Sequence, residues 1–531
     1  MSLAERAAQL SHEELVQAYL VLHQDTSEQI ISLTDSNSTL AEQNEELKVQ
    51  NDWLKRQLFG KKSERILPDD DSSAGQLTLG EGYEPEDKPP PKKTTVKSYE
   101  RSHRKNEIEF ADEESRLKFD ESVPVEEINV AHPATEGLSE DEYEVIGQEV
   151  THKLAQRPGA YVVLKYVRPK IKVKPTGKVT TTAVTSAASV IERSIAEVSF
   201  LVGLILDKFL YHLPLYRQHQ RLTTSGVYLN RMTLTNLVHR SAQLLEPVYV
   251  ALQSSILLSS VIAMDETPVK AGRDKAKRQM KKGYFWSIYG EKGEIAFLFS
   301  PSRSGKVVRD VLGQFQGTLL TDAYKVYEAF AELNDEVTRA QCWAHARRKF
   351  FEAKDYEPEL SEKALDTIRL LYKAEEEHGP KGRNEHARPI VNDFFDWLEK
   401  TALEHALLPS SPFLKAVSYA LKNERALRVF LDNPKVALDT NHVERDNRLN
   451  AVGRKNYMFH WTEIGAKYAA ILYSLIATCR HQNLDPYTYL VDVLQRIQTH
   501  PMREIHLLTP TNWKENFQDN PLKSDLYNAV S

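Results

Sequence analysis

Residues 439–459, DTNHVERDNRLNAVGRKNYMF, are the stretch on which the reading of the whole chain turns. Asp439 and Thr440 are good helix N-cap types, and a helix begun there places Asn441, Glu444, Asn447 and Arg448 on one face. A carboxylate set between amides and a guanidinium is either a solvated, ion-paired face or a site. Gly453-Arg454-Lys455-Asn456 follows, read as a glycine turn carrying a basic pair, and apolar segments flank both ends. A carboxylate next to phosphate-binding cations points to metal-assisted phosphoryl transfer, which requires further carboxylates elsewhere.

Those partners stand upstream, at strand ends. Residues 259–264 (SSVIAM) form a short apolar run ending in Asp265-Glu266-Thr267-Pro268, the pattern of a buried strand that delivers a carboxylate. Residues 284–289 and 294–299 alternate about the turn from Gly290 to Gly293, a hairpin. Residues 309–315 read as a helix, and a fourth strand over 317–320 ends at Asp322. Each aspartate alone is a common turn former. The order of strand, hairpin, helix, strand and distant helix is that of an RNase-H-like nuclease core, in which two divalent ions, Mg2+ or Mn2+, activate the attacking and leaving oxygens.

Further along, Cys342-Trp343-Ala344-His345-Ala346-Arg347-Arg348-Lys349 pairs a Cys and a His three apart, half of a zinc site, with no second pair nearby. The expectation is a structural Cys-Trp, with His345 facing the catalytic cleft and the cations on phosphates; the alternative is a buried His beside solvated basics. Residues 351–435 are helical and charged and lie between the fourth strand and the Glu444 helix, so they read as an all-helical insertion.

Composition bounds the rest. The chain has 531 residues, 41% hydrophobic and 27% charged, and a formal charge of −6, which excludes a uniformly basic nucleic-acid coat but not local basic patches. Cys342 and Cys479 are its only cysteines, so neither a disulfide framework nor a four-cysteine zinc site is available. No apolar run approaches the roughly 18 to 20 residues that span a bilayer, and the N-terminus MSLAERAAQL has no apolar signal core. The reading is a cytoplasmic protein without membrane contact.

Ahead of the core, Leu33, Leu40, Leu47 and Leu54 recur at heptad spacing with Asn37, Asn44 and Asn51 at the companion position, the pattern of a parallel two-stranded zipper. A long helix folded back on its own domain is the alternative. The basic end KRQLFGKKSER (55–65) either touches DNA backbone or complements the helix dipole. Acidic, proline-rich and then basic, residues 67–105 are a linker. In the β-like segment YVVLKYVRPKIKVK (161–174), Lys165 and Arg168 belong to a basic stripe that is either a DNA-backbone contact or a lysine-blunted edge strand. Between 190 and 255 the chain is helical, and Met232 to Val238 reads as the second helix of a helix-turn-helix or as plain helical packing.

These residues carry a family resemblance. MDETPV (264–269), LLTDAY (319–324), CWAHARRKF (342–350), DTNHVERDNRL (439–449) and GRKNYMF (453–459) are similar to the transposases of the bacterial insertion-sequence family sixty-six, as are FLYHLPLYRQ (209–218), YSLIATCRHQNLDPYTYL (473–490) and the zipper ending in QLFGKKSER. The resemblance covers nearly the whole chain in collinear order. It implies a DDE transposase with Asp265, Asp322 and Glu444 as the metal-binding catalytic triad, acting on double-stranded DNA at the element's terminal inverted repeats and at the target, as a homodimer or larger assembly, with accessory proteins encoded by the same element. The family's zinc-finger-like segment is matched here without cysteines, so no structural zinc is expected.

The resulting organisation is multidomain, mostly α with an α/β RNase-H-like core. It comprises a coiled coil (1–66), a linker (67–105), a small β-rich module (106–178), a helical and DNA-binding candidate region (179–255), the first part of the core (256–350), the helical insertion (351–435), the last part of the core (436–480) and a C-terminal helical region (481–531). Candidate DNA contacts are Arg347, Arg348, Arg445, Arg448, Arg454, Lys455, Lys165 and Arg168; Cys342, His345 and Asn441 are further active-site candidates. Two rivals are a dimeric DNA-binding protein whose core no longer cleaves, opposed by the intact triad, and a stand-alone nuclease, which would not need the zipper and the modules before the core.

Overall fold

The computed structural model describes residues 117–130, 143–157, 159–173, 179–181, 190–192, 194–274, 276–404 and 411–528. The expected zipper and linker lie outside the described residues. Five strands come first: β1 (Lys118–Phe119), β2 (Val125–Asn129), β3 (Tyr143–Arg157), β4 (Ala160–Val173) and β5 (Val179–Thr181). β3 and β4 form a long antiparallel hairpin whose tight turn uses Gly159 at φ +82°, a left-handed conformation that costs glycine little. β4 is not the edge strand that its lysines suggested. It pairs with β3 on one side and with β2 and β5 on the other.

The next helices are α1 (Val198–Phe209), α2 (Leu215–Thr224) and, after the short β6 (Val227–Tyr228), α3 (Arg231–Leu257). α1 buries Phe200, Leu201, Leu204, Ile205 and Phe209, and Glu197 caps it by accepting the Ser199 N–H. α3 is a single 27-residue helix with Leu234, Leu237 and Val238 buried. Of the two readings of Met232 to Val238, the buried face fits plain helical packing: the apolar period continues for seven turns, and Tyr249 donates to the Phe297 carbonyl at 2.7 Å.

The central sheet follows, from β7 (Val261–Asp274), β8 (Gln279–Tyr289) and β9 (Ile295–Ser300), then α4 (Gly305–Leu312), β10 (Gly317–Thr321), α5 (Lys325–Glu332) and β11 (Val337–Gln341). Its order is β11-β10-β7-β8-β9. β7, β8 and β9 form an antiparallel meander, whereas β10 runs parallel to both β7 and β11. Val261 to Met264 are all buried, as a strand covered on both faces requires.

After β11 come α6 (Trp343–Ala353), α7 (Pro358–His378), α8 (Arg388–Glu404), α9 (Pro412–Lys422) and α10 (Glu424–Asp432). These helices occupy the stretch read as an all-helical insertion, 351–435, but follow a fifth strand rather than the fourth, and they pack round an aromatic core of Trp343, Phe350, Phe394, Phe395, Phe413 and Phe430. The insertion ends where it began: the Trp343 N–H donates to Leu438 O at 3.0 Å and its indole N–H to Leu427 O at 2.9 Å. That return brings in α11 (Asn441–Tyr457), which carries Glu444.

Gly453 is not in a turn. α11 runs through it to Tyr457, a side chain there would meet the Tyr457 and Tyr473 hydroxyls at 2.7 Å, and the chain turns only at Met458, at φ +60°. α12 (Glu463–His481) then packs across the sheet, buried along nearly its whole length. Its Ser474 and Thr478 hydroxyls accept the Phe297 and Ile295 N–H groups at 2.8 and 3.1 Å, which satisfies the outer edge of β9. A C-terminal helical region begins with α13 (Pro486–Arg496) and closes against the β module, where the Tyr166 hydroxyl donates to Asp525 at 2.8 Å.

Candidate active site

The sheet itself brings the two aspartates together. Asp265 lies within β7 rather than at its end; β10 pairs in parallel with β7 as far as Leu320↔Ala263, and Asp322, just past the end of β10, follows close enough for its charge to act on Asp265. β11 continues the row. Its register with β10, Thr321↔Gln341, delivers Cys342 next to Asp322, and Cys342 opens α6, which carries His345.

Glu444 arrives from α11. Asp439 accepts the Asn441 N–H at 2.9 Å and so caps the helix start, while the buried Thr440 N–H donates to Cys342 Sγ at 3.3 Å and ties that start to α6. His345 Nε2 then lies 3.8 Å from Glu444 Oε1. The Cys342 sulfur beside it comes first in raising His345, to about 9, against the pull of burial; the charges of Asp322 and Glu444 add to it. No hydrogen bond of ordinary geometry reaches His345 Nδ1, so the sulfur acts through proximity. His345 thus stands between Cys342 and Glu444 at the edge of the expected triad.

Asp265 is held on both oxygens. Oδ1 accepts the Glu266 N–H and Oδ2 accepts Asn447 Nδ2, both at 2.8 Å. Burial, followed by the charges of Glu266 and Asp322, pushes its carboxyl up to about 6. Asp322 Oδ1 accepts the Tyr324 N–H at 2.9 Å. The two nearest acidic decoys point elsewhere, as strand and helix periods require: Glu266 is bound by Arg303 and by the Tyr327 hydroxyl at 2.7 Å, and Asp446 by His481 at 2.6 Å.

Among the described residues, no three acidic, histidine or cysteine side chains are gathered closely enough to hold a metal as they stand. The donor set nevertheless fits a hard divalent cation: the groups are carboxylate oxygens, their mutual repulsion is visible in Asp265, and the buried Asn447 Oδ1 has no partner.

The candidate DNA contacts divide. Arg347 and Arg348 on α6 and Arg445, Arg448 and Lys455 on α11 are exposed. Arg348 is paired with Glu352 at 3.2 Å. Arg454 turns inward and donates to the Pro268 carbonyl, which clasps α11 to β7. Lys165 is paired with Glu127 at 3.0 Å, and Arg168, only 6% exposed, is bonded to Glu149 and Thr151, so neither presents a free cation to a phosphate. Asn441 is tied to Asp439. Sequence reasoning placed Asn447 on the right face without assigning it to the site, although its spacing of three from Glu444 was the available signal. The Arg303 and Tyr327 partners of Glu266 had no sequence signal.

Residues 193–468, which span all three carboxylates, match the Transposase IS66 family, and residues 474–511 match the IS66 C-terminal element. The chain belongs to the IS66 transposase family. Residues 46–128 further match the region described as Transposase C of IS166 homeodomain. Among relatives of this IS66 family member, the uncharacterized protein y4hP of Sinorhizobium fredii (strain NBRC 101917 / NGR234) is 30% identical over 403 residues, 70% of this chain and 71% of the relative. The uncharacterized protein y4jD of the same strain is 29% identical over 394 residues, 70% of this chain and 76% of its own. No helix among the described residues of this IS66 transposase is long and apolar enough to cross a membrane.

Proposed function

We propose that this IS66 family member is an active DDE transposase that cleaves the ends of its insertion sequence and joins them to target DNA, with Asp265, Asp322 and Glu444 as its catalytic triad. The observation that supports the reading is the parallel pairing of β10 with β7, which leads Asp322, just past the end of β10, toward Asp265 within β7, with His345 3.8 Å from Glu444. The strand order, with a meander followed by two parallel strands on the far side of its first strand, supports reading this sheet as an RNase-H-like core.

Asp265, Asp322 and Glu444 would hold Mg2+ or Mn2+, two ions per site. Such ions polarise the scissile phosphodiester and stabilise the attacking and leaving oxygens. The protein's own groups do the rest. Asn447 orients Asp265 toward the gap, Asp439 and Cys342 fix the start of the helix that carries Glu444, and Arg347, Arg445 and Arg448 line the approach with positive charge for DNA phosphates. Water attacks the phosphodiester at the element end, and the P–O bond to the 3′ oxygen breaks to leave a 3′-OH. That hydroxyl then attacks a target phosphodiester in line, displacing a second 3′ oxygen. Residues 1–66 serve as the zipper of a homodimer in this reading, residues 67–105 as its linker, and the enzyme works in the cytoplasm on double-stranded DNA with accessory proteins of the same element.

The test is cleavage and strand transfer on duplexes cut from the flanks of the element. Asp265→Asn, Asp322→Asn and Glu444→Gln each keep side-chain shape and remove charge, so each alone should abolish both reactions while DNA binding persists. Strand transfer by Glu444→Gln in magnesium would remove Glu444 from the triad.

A further inference from the structure

Beyond the last catalytic residue of β7, the strand does not stop. β7 and β8 continue as a two-stranded arm, paired as far as Asp274↔Gln279, whose sequence from 270 to 282 is KAGRDKAKRQMKK. Its one acid, Asp274, accepts the Ala276 and Lys277 N–H groups at 3.0 and 3.2 Å and so shapes the turn. Arg273, Lys277, Arg278, Lys281 and Lys282 are exposed, and among the described residues Lys281 alone of these has a carboxylate partner, Glu463. In a chain of net charge −6, this concentration of cations is not a by-product of composition.

A second feature is fastened to the same arm. The turn after α11 lies along β7: His460 N donates to Lys270 O at 2.9 Å and Gly272 N to His460 O at 3.1 Å. The turn holds Met458 67% exposed in a left-handed backbone that a long side chain rarely adopts, and Trp461 52% exposed. Arg273 sits over the Trp461 ring at 5.8 Å and Phe459 flanks it at 5.8 Å. Large apolar side chains pinned outward amid unpaired cations fit a ligand that is both polyanionic and stackable.

We propose that the β7–β8 arm and the 458–462 turn form a DNA-gripping ledge, on which the arm's cations bind phosphates and Trp461 and Met458 press into the duplex about half a helical turn from the bond that is cut. The distance follows from the strand. Some six residues separate Asp265 from the segment beside Trp461, roughly 20 Å at about 3.4 Å per residue. At about 3.4 Å per base step, that is roughly six base pairs. An apolar wedge in the minor groove partly unstacks a step and bends the duplex toward the protein. The inference rests on the transposase reading, since it takes the cleaved duplex as the occupant.

The experiment measures binding of the full-length protein to a fluorescein-labelled mixed-sequence duplex over a range of salt, without divalent metal. The double variant Lys277→Gln/Arg278→Gln should reduce the slope of log affinity against log salt by about 2, at roughly 0.9 per lost phosphate contact. Trp461→Ala should weaken binding roughly tenfold with little change in slope, as the loss of one stacking aromatic would. Thermal melts that match the wild type certify folding, since all three side chains are exposed. Wild-type slope and affinity in these variants would overturn the ledge. So would a loss of self-association in Trp461→Ala with DNA binding intact, which would assign the surface to a second copy. Cleavage by Asp322→Asn would instead sink the catalytic reading, and it is scored separately from binding.

Discussion

Asn447 Nδ2 donates to Asp265 Oδ2 at 2.8 Å, joining the helix that carries Glu444 to the strand that carries the first aspartate. The same amide leaves its Oδ1 buried and without a partner. A half-satisfied amide between two expected metal ligands is costly for folding alone, which marks the position as one kept for the site rather than for packing.

Replacing Asn447 therefore separates packing from charge. Asn447→Ala should lower cleavage by tenfold or more and cost about 1–3 kcal/mol by chemical denaturation, the range for a hydrogen bond to a charged group. Asn447→Asp sets a carboxylate against Asp265, which raises the pKa of the pair in the folded state. Its stability should fall further as pH rises and recover on acidification; a pH-independent deficit would mean that the two side chains do not face each other.

The acidic decoys give the complementary result. Asp446→Asn keeps the contact with His481, and Glu266→Gln keeps an acceptor for Arg303 and Tyr327, so both should retain cleavage within a few-fold of wild type. Glu266→Gln should change the melting temperature little, because burial holds this carboxyl above the usual carboxylate range despite Tyr327 and Arg303, and the partly exposed Arg303 can turn to solvent. Single-turnover cleavage and a thermal melt on each variant check this.

Glu197 makes stability depend on pH. It is 3% exposed at the start of α1, and burial outweighs its hydrogen bonds from Ser199 to raise its carboxyl to about 7. A raised folded-state pKa means that its contribution is fully present below the unfolded value of about 4.3 and is lost as pH climbs through about 7. Glu197→Gln removes the charge, so the variant should gain on wild type between about pH 4.3 and about pH 7 and keep that gain above it, by an amount on the order of 3–4 kcal/mol. An offset that stays flat across this window would show that the carboxylate is solvated.

Gly453 tests the continuous helix. In an open helix, alanine would be favoured over glycine by about 1 kcal/mol. Here the added methyl meets the hydroxyls of Tyr457 and the fully buried Tyr473, so Gly453→Ala should destabilise by about 1–3 kcal/mol, the usual range for overpacking. A rise in melting temperature would show that the tyrosine pair gives way.

What the sequence by itself determined is what is periodic or local. An apolar run ending in Asp265, a second ending in Asp322, and a helical face with Glu444 could be read directly, because strand and helix periods place neighbours two, three and four apart. The helical insertion and the hairpin were legible for the same reason. Tertiary structure decided whatever depends on a distant partner. Gly453 lies in a helix rather than a turn, and Tyr473, from α12, packs where its side chain would be. The basic strand β4 is interior because β2 and β5 cover its other side, and Arg168 is buried there between Glu149 and Thr151. β11, which no periodic signal announced, adds the last parallel strand and carries Cys342 and His345 to the carboxylates. Parallel pairing joins segments far apart in the chain, and its register is set by the summed burial of both faces, which no local window contains.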